Sequence, residues 1–477
     1  MQKRNNPLAV SIQCRKAIST KITSPVKISL HAIAKLILYG NLTQRMFMSR
    51  NHLLIGISVC LFGLFAIGED RANAQEVFSV KTAIEEALRS NPEILSAKRS
   101  YEAASARIWQ AASLSDPMVE LEYDRIYADR MLSGDPMKTY AISQDIPFPT
   151  KLYLRAKIAS KIARMSYENY KTKEKEIIGR TKSAYAELFY IYRSIEINKE
   201  NKGILEQFSQ SATARYSKGL GTQGDALKAQ VELATVDTEL VMLEQKRVTA
   251  QARLNILLNR DPREELGIPA PEEAVRFDRT LDEYYSLALQ NNPELKAYRY
   301  GIEKGKAAYD LSLNEFMPDF KVKFQQEIKG GKAQEDSWAG MLGVTIPLWF
   351  FQKQAFGVKE MKSELEMLKA EYAAKEKTVL FDVRDAYARV EANKKLVELY
   401  ETAFMPQAEE TFNASMKGYE SDKADFLTLL DSRRMLVDFK LRHYNAILDL
   451  RIGLADLERA TGINADYDQL KEVKNAK

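Results

Sequence analysis

The chain has 477 residues, of which 45% are hydrophobic and 28% charged, and its formal net charge is +5. This length allows two or three ordinary domains. Residues 1–74 hold 10 of the 70 basic and 2 of the 65 acidic residues, so the remaining 60 basic and 63 acidic residues leave a charge near −3. Nucleic-acid binding therefore has little support. Both cysteines, Cys14 and Cys60, lie in this first segment, which excludes disulfides from the rest of the chain.

Residues 1–74 are predicted to be an N-terminal extension followed by a cleaved signal peptide. An apolar run covers residues 53–67, and Ala72-Asn73-Ala74 is a small-residue cleavage site. A single membrane anchor is the alternative, but 15 apolar residues are short for a membrane span. We therefore predict export, with an internal methionine, Met46 or Met48, as the translation start.

The remaining sequence contains the same ordered series of landmarks twice. The segment AIEEALRSNPEILSAKR, from Ala83, matches YYSLALQNNPELKAYRY, from Tyr284. Later landmarks follow at offsets of 200 to 203 residues: Pro117 with Pro318, Pro147 with Pro347, Tyr185 with Tyr387, and Tyr216 with Tyr419. This period is too long for a solenoid repeat. The pattern predicts a duplicated domain, with repeats at 75–265 and 281–463, a linker at 266–280 and a tail at 464–477.

Each repeat contains two segments in which apolar and polar residues alternate. Period-two alternation predicts strands with one apolar face, here at about 118–127, 137–146, 319–328 and 337–346. Strands of about ten residues are long enough to cross a bilayer when tilted. The residues predicted to face lipid are Val119, Leu121, Tyr123, Phe320, Val322 and Phe324. Surface hairpins on a soluble core are the alternative.

A long segment with few helix-breaking residues follows the strands of each repeat. Between Lys151 and Tyr216 there is no proline and there are only two glycines, Gly179 and Gly203, and between Lys353 and Tyr419 the only proline is Pro406. Helices of about 60 residues would be roughly 90 Å long. Each is followed by a polar turn and a returning helix of about 35 to 40 residues. Helices of this length must pack as coiled coils.

The strands constrain the assembly if they lie in a membrane. Four strands cannot close a barrel, and each unpaired backbone group in hydrocarbon costs several kcal/mol. Symmetric association would supply 8 strands in a dimer or 12 in a trimer, and an 8-stranded barrel is filled by its own side chains. A periplasmic coiled-coil scaffold or adaptor without a pore is the alternative, and it leaves the apolar strand faces without a partner. We find no phosphate loop, histidine-containing triad or metal-ligand spacing, so we predict neither an enzyme nor a cofactor or metal site.

From about Val80 to Gly462 the chain resembles the TolC-like outer membrane efflux proteins. The matching features are ALRSNPEILSAKR with ALQNNPELKAYR, SQDIPFPTKL with VTIPLWFFQ, and the turns near Tyr216 and Tyr419. The segment PFPTKLYLRAK leans towards the heavy-metal branch of this family. The resemblance implies a mainly α protein with membrane β-strands, in which a trimeric 12-stranded outer membrane barrel stands on a periplasmic α-helical tunnel. It implies an exit duct for an inner-membrane pump and a periplasmic adaptor, with a duct for type I protein secretion as an alternative.

The resemblance also implies two functional sites. The adaptor-contact tip would comprise Gly219, Leu220, Gly221 and Thr222 from the first repeat, and Ser421, Asp422 and Lys423 from the second. The pore constriction would include Asp431, which matches one acidic position of the family, Thr428, which replaces the other, and Asp425. A ring of three carboxylates would attract cations. The alternatives are a solvated coiled-coil position for Asp431 and plain turns that need positive φ for the glycines.

Overall fold

The computed structural model describes residues 78–124, 137–271, 277–328 and 336–463. The predicted leader and C-terminal tail lie outside these residues, as do both hairpin loops and positions 125–127 of the first predicted strand. The domain boundaries predicted from the repeat therefore stay predictions.

Helices make up most of the described structure. They are α1 (Val80–Ser90), α2 (Pro92–Ala112), α3 (Pro149–Ser217), α4 (Gln223–Leu258), α5 (Leu281–Asn291), α6 (Pro293–Asn314), α7 (Gln354–Leu399), α8 (Met405–Glu420) and α9 (Phe426–Thr461). A π-helical turn, Tyr400–Phe404, separates α7 from α8. The strands are β1 (Met118–Asp124), β2 (Met137–Ile146), β3 (Asp319–Ile328) and β4 (Ser337–Thr345).

The repeated Asn-Pro pairs have the same structural role in both repeats. Asn91 caps α2 by accepting a hydrogen bond from the N–H of the second residue after it, and Pro92 occupies the first helical position, where no N–H is needed. The Asn91 amide also donates to the carbonyl of Leu257 at 2.9 Å, near the end of α4. Asn292 donates in the same way to Ala460 at 2.8 Å, near the end of α9. Each asparagine therefore ties the start of its repeat to the end.

The long helices differ between the repeats. The first, α3, runs for 69 residues without interruption, which is about 100 Å. The sequence predicts an equally continuous helix from Lys353 to Tyr419, but the π-helical turn Tyr400–Phe404 interrupts it. Pro406 explains the interruption, because proline lacks an N–H and its ring clashes with the carbonyl of the residue four positions earlier. In the described part of the chain, no helix combines the length and apolarity needed to cross a membrane.

The four strands form one antiparallel sheet in the order β1-β2-β3-β4. The hairpin of the first repeat joins that of the second through β2 and β3, where Ile142 pairs with Phe324. Among the described residues, β1 and β4 each have a neighbouring strand on one side, so the sheet has two open edges.

The helices form a layer in which α3 is central. It packs against α2, α4, α6 and α9, while α7 packs against α6 and α9. One hydrophobic cluster joins α1, α3 and α4, another joins α5, α6, α7 and α9, and a third lies near the turns at the far end of the long helices. This order leaves α4 and α7 at opposite ends of the layer.

The repeated tyrosines anchor the linker to the long helices. Tyr185 is fully buried, and its hydroxyl lies 2.7 Å from the carbonyl oxygen of Phe78 and 2.9 Å from that of Ala270. Tyr387, the equivalent residue of the second repeat, packs its ring 5.1 Å from that of Phe277. The linker therefore contacts both repeats.

Candidate functional site

Strand pairing aligns the apolar positions of all four strands on one face of the sheet. Residues paired directly across antiparallel strands share a face, and Val119 pairs with Ile142, which pairs with Phe324. The same registers place on this face Leu121, Tyr123, Tyr140, Phe320, Val322, Trp338, Leu342 and Val344. All six residues predicted to face lipid thus lie on one surface, here called the apolar sheet face.

The apolar sheet face is largely uncovered. Val119 is 77% exposed, Trp338 73% and Leu342 71%, whereas Phe320 and Val322 are half-buried. Large exposed apolar patches mark membrane or protein interaction sites. Side chains at the predicted positions are therefore accessible to lipid, and their contact with lipid stays a prediction.

The opposite face of the sheet is polar. The ammonium of Lys323 lies 2.6 Å from a carboxylate oxygen of Glu120, and that of Lys321 lies 3.6 Å from Asp145. Apolar and polar faces alternate in this way in strands that separate lipid from a water-filled interior.

The junction after β4 exposes a run of large apolar side chains. Leu348 is 71% exposed, Trp349 69%, Phe350 52% and Phe351 51%. Aromatic residues at the ends of membrane strands occupy the boundary between lipid and water. This run therefore extends the exposed apolar surface beyond the sheet towards the helices.

The equivalent junction after β2 is closed by a buried lysine. Lys151 is 1% exposed, and its ammonium lies 2.9 Å from Asp319, 3.0 Å from the carbonyl of Met317 and 3.5 Å from Glu315. The N–H of Phe148 donates to the same Asp319 carboxylate at 2.9 Å. These contacts tie the end of the first hairpin to the start of β3.

The two helical turns predicted to form the tip lie next to each other. The guanidinium of Arg215, at the end of α3, pairs with the carboxylate of Asp422 and lies 5.1 Å from the ring centre of Tyr419. Gly219 has a φ of 72°, a conformation that favours glycine, and Asp422 has a φ of 55°. Gly221 does not have positive φ, so the interpretation that both glycines are required for left-handed backbone is wrong for Gly221.

Helix caps organise the residues on either side of these turns. The Thr222 hydroxyl accepts from the N–H of Asp225 at 3.2 Å, and the Asp225 carboxylate accepts from the N–H of Thr222 at 3.3 Å. Asp425 caps α9 by accepting from the N–H of Thr428 at 2.9 Å. Hydrogen bonds from the Thr428 side chain and N–H hold the pKa of Asp425 below its usual range.

The remaining predicted tip residues are available for contact. Leu220 is 65% exposed. On the second turn, Ser421, Asp422 and Lys423 are all exposed. The structure thus brings the seven predicted tip residues to one end of the helical layer, and their role stays a prediction.

Asp431, the main predicted constriction residue, is exposed but belongs to an ion-pair network. Its carboxylate lies 3.3 Å from Arg434, whose Nε donates to Glu232 of α4 at 3.0 Å. These three side chains carry a net charge of −1. Asp425 and Thr428 are occupied with each other at the cap of α9. The expected ring charge would therefore come from the network rather than from an isolated Asp431.

Sequence reasoning missed the partners of these acidic residues. Arg434 is three positions after Asp431, which is a recognisable helical pairing. Glu232 and Arg434 are 202 residues apart, within the range of the repeat offsets, so equivalent faces of the two repeats meet. The pairing of Arg215 with Asp422 has no comparable signal. The apolar residues of β2 and β4 could have been found by the same alternation as those of β1 and β3.

Among the residues that the structure describes, no group of three or more His, Cys, Asp or Glu could hold a metal ion. His443, the only histidine in the sequence beyond the predicted leader, has one carboxylate neighbour in the described part of the chain, Glu401, at 3.0 Å.

Comparisons with known proteins agree with this architecture. The chain is 22% identical over 256 residues to the cobalt-zinc-cadmium resistance protein CzcC of Cupriavidus metallidurans, covering 53% of this chain and 60% of CzcC. It covers 49% of a second curated relative, so it spans less than two thirds of the length of either.

Solved structures share the fold. The outer membrane protein VceC of Vibrio cholerae superposes with a TM-score of 0.69 at 17% identity, covering 81% of this chain and 96% of VceC. The CmeC outer membrane channel of Campylobacter jejuni gives a TM-score of 0.70 at 13% identity, covering 82% and 88%. A family model described as outer membrane efflux protein matches residues 83–260 and 284–463, which is most of the chain. The chain therefore belongs to the outer membrane efflux protein family.

Proposed function

We propose that the protein is the outer membrane exit duct of a tripartite efflux system, passively conducting small molecules or metal ions that an inner-membrane pump exports. The observation that carries this proposal is the sheet, which has one exposed apolar face, one polar face and two open edges. It stands on a helix about 100 Å long, which would reach well into the periplasm.

The open edges of the sheet favour a ring of copies. An unpaired edge in hydrocarbon leaves backbone groups without partners, at several kcal/mol each. If β1 of one copy pairs with β4 of the next, each interface joins two different surfaces, and such interfaces form a ring when the rotation between copies closes. Three copies supply 12 strands, whereas two copies supply 8 and would leave the barrel filled by side chains. We therefore propose a homotrimer with a 12-stranded barrel.

The helical layer also has two exposed rows of side chains, one on α4 and one on α7. The α4 seam is an exposed row with residues three or four positions apart, Leu227, Val231, Ala234, Thr238, Val241, Gln245 and Val248. The α7 seam has the same spacing in Met367, Ala370, Ala374, Thr378, Phe381, Asp385, Ala388, Ala392, Leu396 and Leu399. Such 3-4 spacing is that of a coiled-coil contact. We propose that the α4 seam of one copy packs against the α7 seam of the next, which would continue the ring as a tunnel.

Cysteine crosslinking tests this ring. Val241 and Leu399 are 69% and 44% exposed, and both lie about 20 residues, or roughly 30 Å, from the tip turns. In the chain without its leader, which has no cysteine of its own, Val241→Cys with Leu399→Cys should give a ladder ending at the trimer under mild oxidation. Glu239→Cys with Leu399→Cys, which moves one thiol off the seam, is the matched control. Equal crosslinking in both pairs, or none in either, would count against the packing.

Conductance tests the duct itself. Purified protein in a planar bilayer should give uniform channel steps, and an unboiled sample from the outer membrane fraction should migrate near three times the chain mass. A soluble periplasmic monomer without channel activity would instead support the scaffold alternative.

We propose that the tip contacts a periplasmic adaptor. Leu220 suits a test because it is exposed and its backbone, unlike that of Gly219, does not have positive φ. A photo-crosslinking residue at Leu220 should capture a periplasmic adaptor in intact cells, whereas one at exposed Gln210, further up α3, should not. Absence of an adduct at Leu220, or the same adduct at both positions, would contradict the proposal.

We also propose that divalent metal ions are among the substrates. The support is the likeness to CzcC, whose name records resistance to cobalt, zinc and cadmium. A passive duct need not coordinate the ions that pass through it. Deletion of the gene should lower tolerance to these three ions while leaving tolerance to organic antibiotics unchanged. The reverse pattern would point to another substrate class, and a secreted protein retained in the periplasm would point to type I secretion.

A further inference from the structure

A cavity of about 460 Å³ lies between the two repeats, apart from the sheet, the tip and the Asp431 network. It is bounded by α3, by Pro271 and Phe277 of the linker, and by α7, the π-helical turn and α9. Its volume is within the range of about 300–1,000 Å³ found for small-molecule sites. Apolar side chains form most of the wall, among them Phe189, Tyr190, Phe277, Val397, Ile447 and Leu454.

The wall is preformed rather than collapsed. Phe189 and Tyr444 meet edge to face with ring centres 6.3 Å apart, which fixes two of the rings. Phe189, Val397 and Ile447 are only half-buried although they lie between helices, because part of each side chain faces the open space. An apolar body that filled this space would remove these surfaces from water.

Positively charged side chains outnumber negatively charged ones in the described wall of the cavity. Among the residues that the structure describes, three permanent cations, Arg193, Lys394 and Arg451, line it together with one carboxylate, Glu401. Arg193 is already paired with Glu196 at 2.6 Å, outside the cavity. Lys394 lies 5.9 Å from the ring centre of Phe277 and has no carboxylate partner among the residues that the structure describes.

Glu401, the one carboxylate among the described lining residues, already has a partner within the protein. Glu401 lies in the π-helical turn and its carboxylate is 3.0 Å from Nε2 of His443, which is 8% exposed. Turns of this kind re-aim side chains and occur often at functional sites. Glu401 is held by His443, and both Arg193 and Arg451 already have partners. Among the described residues at the cavity, Lys394 is therefore the charge that a ligand could satisfy.

We propose that this cavity binds a small amphipathic organic anion, with its apolar body against the aromatic wall and its carboxylate at Lys394. The site joins α3 of the first repeat to α7 and α9 of the second, so a bound molecule would also stabilise their packing. The proposal goes beyond the exit duct and does not depend on conduction.

Calorimetric titration of the whole protein in amphipol, which avoids detergent micelles, tests the proposal. The probe is 1-naphthoate, whose two rings fit the volume, and 1-naphthylmethylamine is the control with the same rings and the opposite charge. We expect 1-naphthoate to bind once per chain and at least tenfold more tightly than the amine. Failure of 1-naphthoate to bind at millimolar concentration, or tighter binding of the amine, would overturn the proposal.

Two variants locate the site. Lys394→Gln should weaken 1-naphthoate binding about fivefold, as expected for one partly exposed ion pair. Lys395→Gln is the matched control, because Lys395 is exposed and paired with Glu391 at 2.9 Å, and it should leave binding unchanged. Ile447→Trp, which fills the cavity, should abolish binding. Equal affinities in the wild-type, Lys394→Gln and Ile447→Trp proteins would show that the probe binds elsewhere.

Discussion

Replacing Lys151 with methionine tests whether the buried ammonium joins the two hairpins. Methionine keeps most of the apolar stem and removes the charge. The change removes the ion pair to Asp319 at 2.9 Å and the hydrogen bond to the Met317 carbonyl at 3.0 Å. Since these contacts cross from the end of β2 to the start of β3, their loss should destabilise the middle of the sheet.

The solvent exposure of Asp319, the partner of Lys151, determines how much stability the substitution removes. Breaking a buried pair by removing one member costs about 3–5 kcal/mol, because the remaining charge stays buried. The Asp319 side chain is 40% exposed and still accepts the N–H of Phe148, so water and the backbone compensate part of this cost. We expect a loss of about 2–3 kcal/mol, which at about 2 °C per kcal/mol lowers the melting temperature by roughly 4–6 °C.

Thermal loss of the helical circular dichroism signal, in one detergent, measures this change. Lys161→Met is the matched control, because Lys161 also lies on α3 and pairs with Glu303 at 2.5 Å, but the two side chains are 27% and 45% exposed. An exposed pair contributes under about 1 kcal/mol, so the control should melt within about 2 °C of the wild type. Equal shifts in the two variants would refute the reasoning from burial.

Three further predictions concern the Asp431 network, the Asp425 cap of α9 and the apolar sheet face. In bilayer recordings, Asp431→Asn should reduce the preference for cations, because the net charge of the Asp431–Arg434–Glu232 network changes from −1 to 0. Arg434→Gln should increase the preference, because the net charge becomes −2. In a trimer, one changed charge per copy, about 8 Å from an ion in the pore, would alter the cation-to-anion permeability ratio roughly two- to threefold at physiological salt. A shift of this ratio in the same direction in both variants would contradict the assignment. The pKa of Asp425 is lowered in the folded state, so its contribution to stability is complete above the unfolded pKa of about 3.9 and is lost as the pH falls through the lower folded value. Amide hydrogen exchange at the start of α9, corrected for intrinsic rates, should therefore accelerate at such low pH in the wild type. Asp425→Asn should not show this acceleration. If the exchange rates of the two proteins depended on pH in the same way, the titration of Asp425 could not be the cause. Val119→Lys, on the apolar sheet face, should lower the stability of the protein in a bilayer by about 2–4 kcal/mol. It should also reduce the amount of the heat-modifiable oligomer band in outer membranes. Gln325→Lys, on the polar face, should have neither effect. Equal loss in both would argue against lipid contact.

Local patterns in the sequence determined much of the architecture. Alternation with a period of two placed Val119 and Phe324 on one face, because side-chain direction in a strand depends only on position along it. The absence of proline after the first position of α3, Pro149, allowed a helix of 69 residues. The match to the outer membrane efflux family confirms the predicted family and its location in the outer membrane. The prediction of a continuous helix through Pro406 was wrong, because proline lacks an N–H and its ring clashes with the preceding turn, where the backbone forms the π-helical turn.

The partners of the charged side chains were decided by the tertiary structure. Lys151 and Asp319 are 168 residues apart, and Arg215 and Asp422 are 207 apart. Periodicity identifies which face of an element is apolar, but it carries no information on which distant charge lies opposite a given side chain. That information comes from the packing of α3 between the two repeats. The same packing leaves the cavity beside Lys394, which α3 of the first repeat and α7 and α9 of the second line together.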